Sequence, residues 1–314
     1  MIANARFSPE GVPELNAQTI WNHASHNAFP DVALFHDELY GCCRESTDHM
    51  SRDGEVVIFR QGDGDRWERD VQFSLGGADL RDPKLSVTPA GQLLCLAIIR
   101  WDRDDKSKQK TVCWRKEAGK PWSNATLVGE PAICIWRLTW HRGRGYGVGY
   151  KTGKEHLIRL YRTRDAREFE ILNDKIFADD FPNEAVLGFS GPRLYCLLRK
   201  NRGNSPTSLL GNSKPPYQVW DWQDLGVLLG GPNLTQIPGS GQWLAGGRVT
   251  VETSYTGLLK IDLSKARLEP FRRLPSRGDH GYPGFVWNGD RLEILYYSEV
   301  EGKTVIRRST LSID

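Results

Sequence analysis

The chain has 314 residues, with 42 Lys+Arg against 39 Asp+Glu and a formal net charge of +3. A balance so close to neutral leaves no electrostatic footprint for a phosphate backbone or an anionic membrane surface, and no apolar run approaches the ~18 residues of a membrane-spanning helix. Nucleic acid and membrane are therefore excluded as expected partners.

The first residues, Met1-Ile2-Ala3-Asn4-Ala5, lack both a charged stretch and an apolar stretch, so the chain as written carries no secretory signal and is expected in the cytoplasm. A chain starting after a removed signal would look the same and would be secreted or periplasmic. The six cysteines (Cys42, Cys43, Cys95, Cys113, Cys134, Cys196) form no CxxC pair and sit mostly in apolar runs, which predicts buried free thiols. No cofactor is expected and no metal is required by any ligand spacing; His23 and His26, three apart, read as structural or exposed. Abundant Gly (32) and Trp (11) beside only 2 Met point to an all-β chain rich in turns.

In chain order, Thr19-Ile20-Trp21 comes first as a lone strand candidate. From Asp31 a unit then recurs: an apolar strand, a Gly/Asp/Asn turn, a second strand ending near Arg, and a third strand. Its copies begin near Asp31, Lys84, Ile133, Glu184, Pro232 and Pro283, at offsets of 53, 49, 51, 48 and 51 residues. Hairpin turns fall at His36-Asp37-Glu38, Pro89-Ala90-Gly91, Ser190-Gly191-Pro192 and Asn288-Gly289-Asp290. Stretches 102–110 and 202–214 read as exposed loops. This period predicts one domain over 1–314, a six-bladed β-propeller. Its last unit is short, and the N-terminal strand is expected to complete it and close the ring.

At the ends of second strands a further pattern recurs, best seen in Arg115-Lys116-Glu117-Ala118-Gly119-Lys120-Pro121-Trp122, with degenerate copies over 61–67 and 163–169. It resembles the sialidase Asp-box, a structural turn whose Trp packs between blades. From about Pro30 onward the chain resembles the sialidase-like (neuraminidase) six-bladed propellers, and more narrowly bacterial proteins labelled exo-α-sialidase or glycosyl hydrolase. The narrower match rests on Asp79-Leu80-Arg81-Asp82-Pro83-Lys84-Leu85, Pro182-Asn183-Glu184, Gly230-Gly231-Pro232-Asn233, Ala245-Gly246-Gly247-Arg248 and Gly278-Asp279-His280-Gly281-Tyr282-Pro283-Gly284, with Tyr296-Tyr297-Ser298 and Glu301-Gly302-Lys303.

The resemblance implies an exo-acting glycosidase with a carbohydrate substrate and no cofactor. Sialidases use a Tyr nucleophile made basic by a Glu, an Asp acid/base and three Arg that hold the substrate carboxylate; a neutral phenol suits an anionic substrate that would repel a carboxylate nucleophile. Carried over, Glu184 precedes Arg199 by 15 residues, Arg248 follows by 49 and Tyr282 by a further 34. The resemblance thus implies catalytic roles for Glu184, Tyr282 and Asp48, with His49 as an alternative acid/base. It implies substrate-binding roles for Arg44, Arg81, Asp82, Arg199, Arg248 and Asp279, with Asp48-His49, Arg81-Asp82, Glu184, Arg199, Arg248 and Tyr282 expected on loops leading into the innermost strands. The chain departs from the pattern at Ala28, which stands where sialidases carry the first Arg. Losing one arm of the clamp argues for an acidic or polar glycan other than a simple sialoside. The alternatives are a non-catalytic carbohydrate-binding propeller and a uronate-directed lyase.

Overall fold

The protein is described here by a computed structural model covering residues 5–102, 104–105, 108–151, 155–178, 180–201 and 206–313. After a 3-10 turn at Ala5–Phe7, the elements described below are strands. Strand β1 (Gln18–Trp21) precedes a meander of β2 (His26–Phe35), β3 (Glu38–Ser46), β4 (Glu55–Gln61) and β5 (Trp67–Phe73). The same four-strand plan continues with β6 (Asp79–Val87), β7 (Leu93–Arg100), β8 (Gln109–Lys116) and β9 (Thr126–Val128). Then come β10 (Ile133–His141), β11 (Arg144–Lys151), β12 (Leu157–Thr163) and β13 (Glu170–Ala178). They are followed by β14 (Pro182–Ser190), β15 (Arg193–Lys200), β16 (Thr207–Ser213) and β17 (Asp221–Asp224). The chain ends with β18 (Leu228–Gln236), β19 (Trp243–Thr250), β20 (Tyr255–Asp262), β21 (Arg267–Leu274), β22 (Gly281–Asn288), β23 (Arg291–Val300) and β24 (Lys303–Ser312).

These strands form an all-β propeller. Strands β6–β9, β10–β13, β14–β17 and β18–β21 are separate four-stranded antiparallel sheets. The remaining sheet has eight strands in the order β22-β23-β24-β2-β3-β4-β5, with β1 paired to β24. Its two halves meet through one parallel bridge, His26 to Thr304, while β1 runs antiparallel to β24 from Gln18 opposite Arg308.

Apolar side chains on facing sheets supply the cohesion. Phe35, Ile58 and Val56 pack with Leu85, Val112 and Trp114; Leu94 and Leu96 pack with Ile133 and Tyr161; Leu244 and Leu258 pack with Leu292 and Ile294. Each such side chain, fully buried, contributes about 1.5–3 kcal/mol before chain entropy is counted. All six cysteines are free and buried within these layers.

Three expectations from the sequence need correction. Stretch 202–214 is not a loop throughout: β16 occupies Thr207–Ser213 and is mostly buried, because Leu209 and Leu210 pack on opposite faces while Ser, Gly and Asn around them give a loop-like composition. Residues 202–205 lie outside the described residues. Likewise β8 begins at Gln109 inside the stretch 102–110, of which 103, 106 and 107 are outside the described residues. The Asp-box-like segments follow β4, β8 and β12, the third strands rather than the second. There Trp122 packs edge-on against Phe73 and donates its indole N–H to Asp70 at 2.6 Å, tying two sheets together.

Candidate functional site

One irregularity repeats in every innermost strand. Between Ala28 and Asp31 the strand spends three steps where its partner spends two, and the same shift occurs over Arg81/Lys84, Ile135/Leu138, Pro182/Ala185, Gly230/Asn233 and Gly281/Gly284. Each is a one-residue β-bulge, a device that re-aims a side chain and interrupts the ladder. Four bulges are residue–Pro pairs, Phe29-Pro30, Asp82-Pro83, Gly231-Pro232 and Tyr282-Pro283. Proline fits because it has no N–H to give the ladder. The preceding residue takes a left-handed conformation, at φ 57°, 50°, 57° and 52° respectively. For a non-glycine residue this costs about 1–3 kcal/mol and is characteristic of functional sites. Lys84, fully buried, ties the first two bulges together by donating to the carbonyls of Phe29 (3.2 Å) and Pro83 (2.9 Å).

The bulges converge on Tyr282. Its ring meets Phe29 and Trp136 edge-on, with centroids at 5.1 and 6.3 Å, and lies against Gly231 so closely that a Cβ there would come within 2.3 Å of its Cγ. Its hydroxyl donates to Glu184 Oε1 at 2.7 Å. Arg199, from β15, donates Nη1 to Glu184 Oε2 at 2.8 Å and to the Tyr282 hydroxyl at 3.0 Å. Arg248, from β19, places its guanidinium 5.8 Å from the centre of the Tyr282 ring. Burial, then the charge of Glu184, pushes the Tyr282 phenol well above its ordinary pKa; Asp82 adds to this, and Arg199 and Arg248 oppose it. Burial would lower the Arg199 guanidinium, but Glu184 and Tyr282 outweigh it and hold it firmly charged.

A second cluster adjoins the first through Arg248, whose Nη1 lies 3.8 Å from Asp279 Oδ1. Asp279 stands in the loop before β22. His26 Nε2 and His49 Nδ1 approach its Oδ2 at 2.9 and 2.6 Å, and Tyr297 donates to its Oδ1 at 3.1 Å. Burial would raise the Asp279 carboxyl, yet the two imidazoles hold it far below the usual range. His26, His49 and Asp279 are also the group that could hold a metal ion among the described residues.

The predicted residues therefore separate into three sets. Glu184, Arg199, Arg248 and Tyr282 come together, with Asp82 half-buried beside them; His49 and Asp279 join at the edge. His49 and Asp279 sit on loops, but the others do not: Asp82, Glu184 and Tyr282 lie within innermost strands at the bulges, Arg81 just before one, and Arg199 and Arg248 on second strands. Arg44 and Asp48 are not turned toward the site. Arg44 is fully buried, and all three of its guanidinium nitrogens are spent on Asp79, Leu80 O, Ser46, Asp48 O and Ser51 O, so it braces the 47–53 loop. The Asp48 carboxylate caps its own turn, accepting from the amides of Met50 (2.6 Å) and Ser51 (2.8 Å). Arg81 is buried too, bonded to Asp79 and donating to His49 O at 3.0 Å, and so positions the His49 loop. His26, read from sequence as structural or exposed, is buried and faces Asp279, and Tyr297, part of the family resemblance but given no role, donates to the same carboxylate; the repeated residue–Pro step was the signal that marked the bulges.

Volume alone points elsewhere. A groove of about 560 Å³ runs between Tyr195, Trp243, Lys260 and Glu269, and another of about 540 Å³ between Arg144, Arg162 and Phe169. Both lie away from the bulges, and neither is lined by Tyr282, Glu184, Arg199 or Arg248.

No protein-family model and no curated protein matches the chain. Its fold is that of the sialidase-like β-propellers. A protein of unknown function from Dyadobacter fermentans superposes over 97% of this chain and 100% of its own, with TM-score 0.79 and 19% identity. Trypanosoma rangeli sialidase in complex with sialic acid matches 95% of this chain with TM-score 0.72 and 12% identity. NanB sialidase from Streptococcus pneumoniae matches 97% with TM-score 0.68 and 8% identity. This chain spans 57% of the T. rangeli enzyme and 71% of NanB. At such identities the likeness is one of fold, and fold leaves chemistry open.

Proposed function

We propose that the protein is a glycoside hydrolase of the sialidase-like superfamily acting on an acidic glycan other than a simple sialoside, built as one six-bladed domain whose eight-stranded sheet counts as two blades closed by β1. The observation that carries the reading is the Tyr282–Glu184 hydrogen bond at 2.7 Å with two arginines against the same phenol. In this reading Tyr282 attacks the anomeric carbon as its proton passes to Glu184. The raised phenol pKa keeps the nucleophile neutral until substrate arrives, so proton loss is coupled to attack. Arg199 and Arg248 hold the substrate carboxylate beside it, and Asp82 donates the proton to the departing oxygen.

Ala28 supports a substrate other than sialic acid. It is fully buried opposite Arg44, and its neighbour Phe29 lies against Tyr282, so an apolar ring stands next to the place of the missing clamp arm. One lost charge-assisted hydrogen bond costs roughly 1.5–3 kcal/mol, or about one to two powers of ten in binding. A panel of labelled glycosides that includes uronides and sialosides tests the reading. Hydrolysis of an acidic non-sialoside, absent in Tyr282→Phe, is the expected result. Ordinary turnover of a sialoside would restore the plain sialidase assignment. Binding of acidic oligosaccharides without turnover would favour a carbohydrate-binding propeller, and an unsaturated product a lyase.

A further inference from the structure

The glycosidase reading leaves His26, His49 and Asp279 without a role, and their chemistry is specific. His26 Nε2 and His49 Nδ1 both face a single oxygen, Asp279 Oδ2, and the three atoms lie within 4.8 Å of one another. The other nitrogen of His26, Nδ1, meets Ser46 Oγ at 3.5 Å. Ser46 gives its one hydroxyl hydrogen to Asp48 O at 3.0 Å and accepts from Arg44 Nη1. With Nδ1 facing Ser46, the ring presents Nε2 to Asp279. His26 Nε2 and His49 Nδ1 thus converge on one carboxylate oxygen, two imidazole nitrogens and an oxygen in the grouping that ligates a metal ion.

We propose that His26 Nε2, His49 Nδ1 and Asp279 Oδ2 bind one divalent transition-metal ion of the zinc class. Two imidazoles and a carboxylate suit such an ion rather than Mg²⁺ or Ca²⁺, which favour oxygen donors. Three protein ligands with a side open to solvent match zinc sites that keep a free coordination position. Here the open side is at His49 and Asp279, whose side chains are 39% and 27% exposed against 7% for His26.

The supporting shell is already in place. Tyr297 donates to the second Asp279 oxygen, Ser46 holds His26, and Arg81 holds the backbone of His49. Buried Arg44 clamps the carbonyls of Asp48 and Ser51 on either side of His49, so the ligand-bearing loop is anchored before any ion arrives. Phe29 forms an apolar floor, its ring centroid 5.2 Å from that of His49 and 6.3 Å from that of His26. Outer partners of this kind orient ligands and tune affinity.

The test is calorimetric titration of Zn²⁺ into the chelator-stripped full chain, with Co²⁺ absorption as a report on coordination. One ion per chain is expected, with the ligand-field bands of a nitrogen–oxygen site. His49→Ala should abolish binding, or weaken it beyond the ~10–100-fold that loss of an outer partner costs, and Ser46→Ala should fall within that range. His49 sits on a half-exposed loop, so an unchanged metal-free melting curve for His49→Ala separates lost binding from lost fold. Absence of stoichiometric binding, or binding that survives His49→Ala, overturns the proposal. So does an NMR spectrum in which His26 is doubly protonated and does not respond to Zn²⁺. Because the readout is binding, this result stands apart from the outcome of the glycoside panel.

Discussion

The hydroxyl of Tyr282 donates to Glu184 at 2.7 Å although 98 residues separate them in the chain. Two independent bulges, in β22 and β14, aim these side chains at each other. Tyr282→Phe removes the hydroxyl and keeps the ring that packs on Phe29 and Trp136. The expected outcome is a fall in kcat of at least about 10³-fold on the acidic glycoside, as for loss of a nucleophile, with a nearly unchanged melting temperature. Unfolding and kinetic measurements on one preparation decide it: activity within tenfold of wild type removes Tyr282 from the chemistry.

Glu184 also neutralises Arg199, and both side chains are largely buried, at 9% and 17% exposure. Glu184→Gln leaves that guanidinium without its counter-charge. Removing one partner of a buried pair costs about 3–5 kcal/mol, so a clear loss of stability should accompany the loss of activity. The double variant Glu184→Gln/Arg199→Gln should recover part of the stability and none of the activity. Additive stability losses in urea titrations would show that the pair is uncoupled.

How legible was this site in sequence? The repeat was legible because the innermost strands share apolar runs and Gly/Asp turns at a steady period. The outer strands were not: β9 has three residues and β17 four, mostly exposed, so neither alternation nor hydrophobicity marks them. Glu184, Arg199, Arg248 and Tyr282 were implied by the resemblance to sialidases, whose order and intervals they match, and the fold brings them together. Asp48 and His49 could not be told apart, because the turn that Asp48 caps decides which neighbour faces inward. Arg44 reads like any strand-terminal arginine until the fold sets Asp79 and the 47–53 loop around it. The His26–His49–Asp279 cluster joins residues 253 and 230 positions apart, a relationship that no local spacing announces.

Gly231 tests the bulge as a device for placing Tyr282. An alanine there would meet the strained φ of 57° and also bring Cβ within 2.3 Å of the Tyr282 ring. Gly289 is the control, with φ 63° and open space around it. Gly289→Ala should cost only about 1 kcal/mol, the backbone preference alone. Gly231→Ala should add the ~1–3 kcal/mol of overpacking and depress activity as strongly as Tyr282→Phe. Equal melting temperatures for the two variants would mean that the Tyr282 ring yields freely, and that the bulge does not hold it.

The pH dependence of stability has a separate origin in His280. Burial, reinforced by the charge of Arg248, lowers its pKa from 6.5 to about 4, with nearby Asp279 opposing the shift. The neutral ring meets Thr256 Oγ1 at 2.8 Å and Ser254 Oγ at 3.2 Å. Between pH ~6.5 and ~4 the unfolded chain takes up a proton that the folded chain refuses, so stability is full above the unfolded value and is lost as pH falls. A shift of that size corresponds to about 3 kcal/mol. Asp279, also depressed in the fold, contributes in a lower window, below the ordinary Asp value of ~3.9. His280→Gln keeps a polar group for Thr256 but cannot titrate. It should flatten the loss between pH 6.5 and 4 and leave the steeper fall below pH 4 in place. Urea unfolding at pH 7.5, 5.5 and 4 measures both, and an unaltered slope across the upper window in His280→Gln would assign that loss to another group.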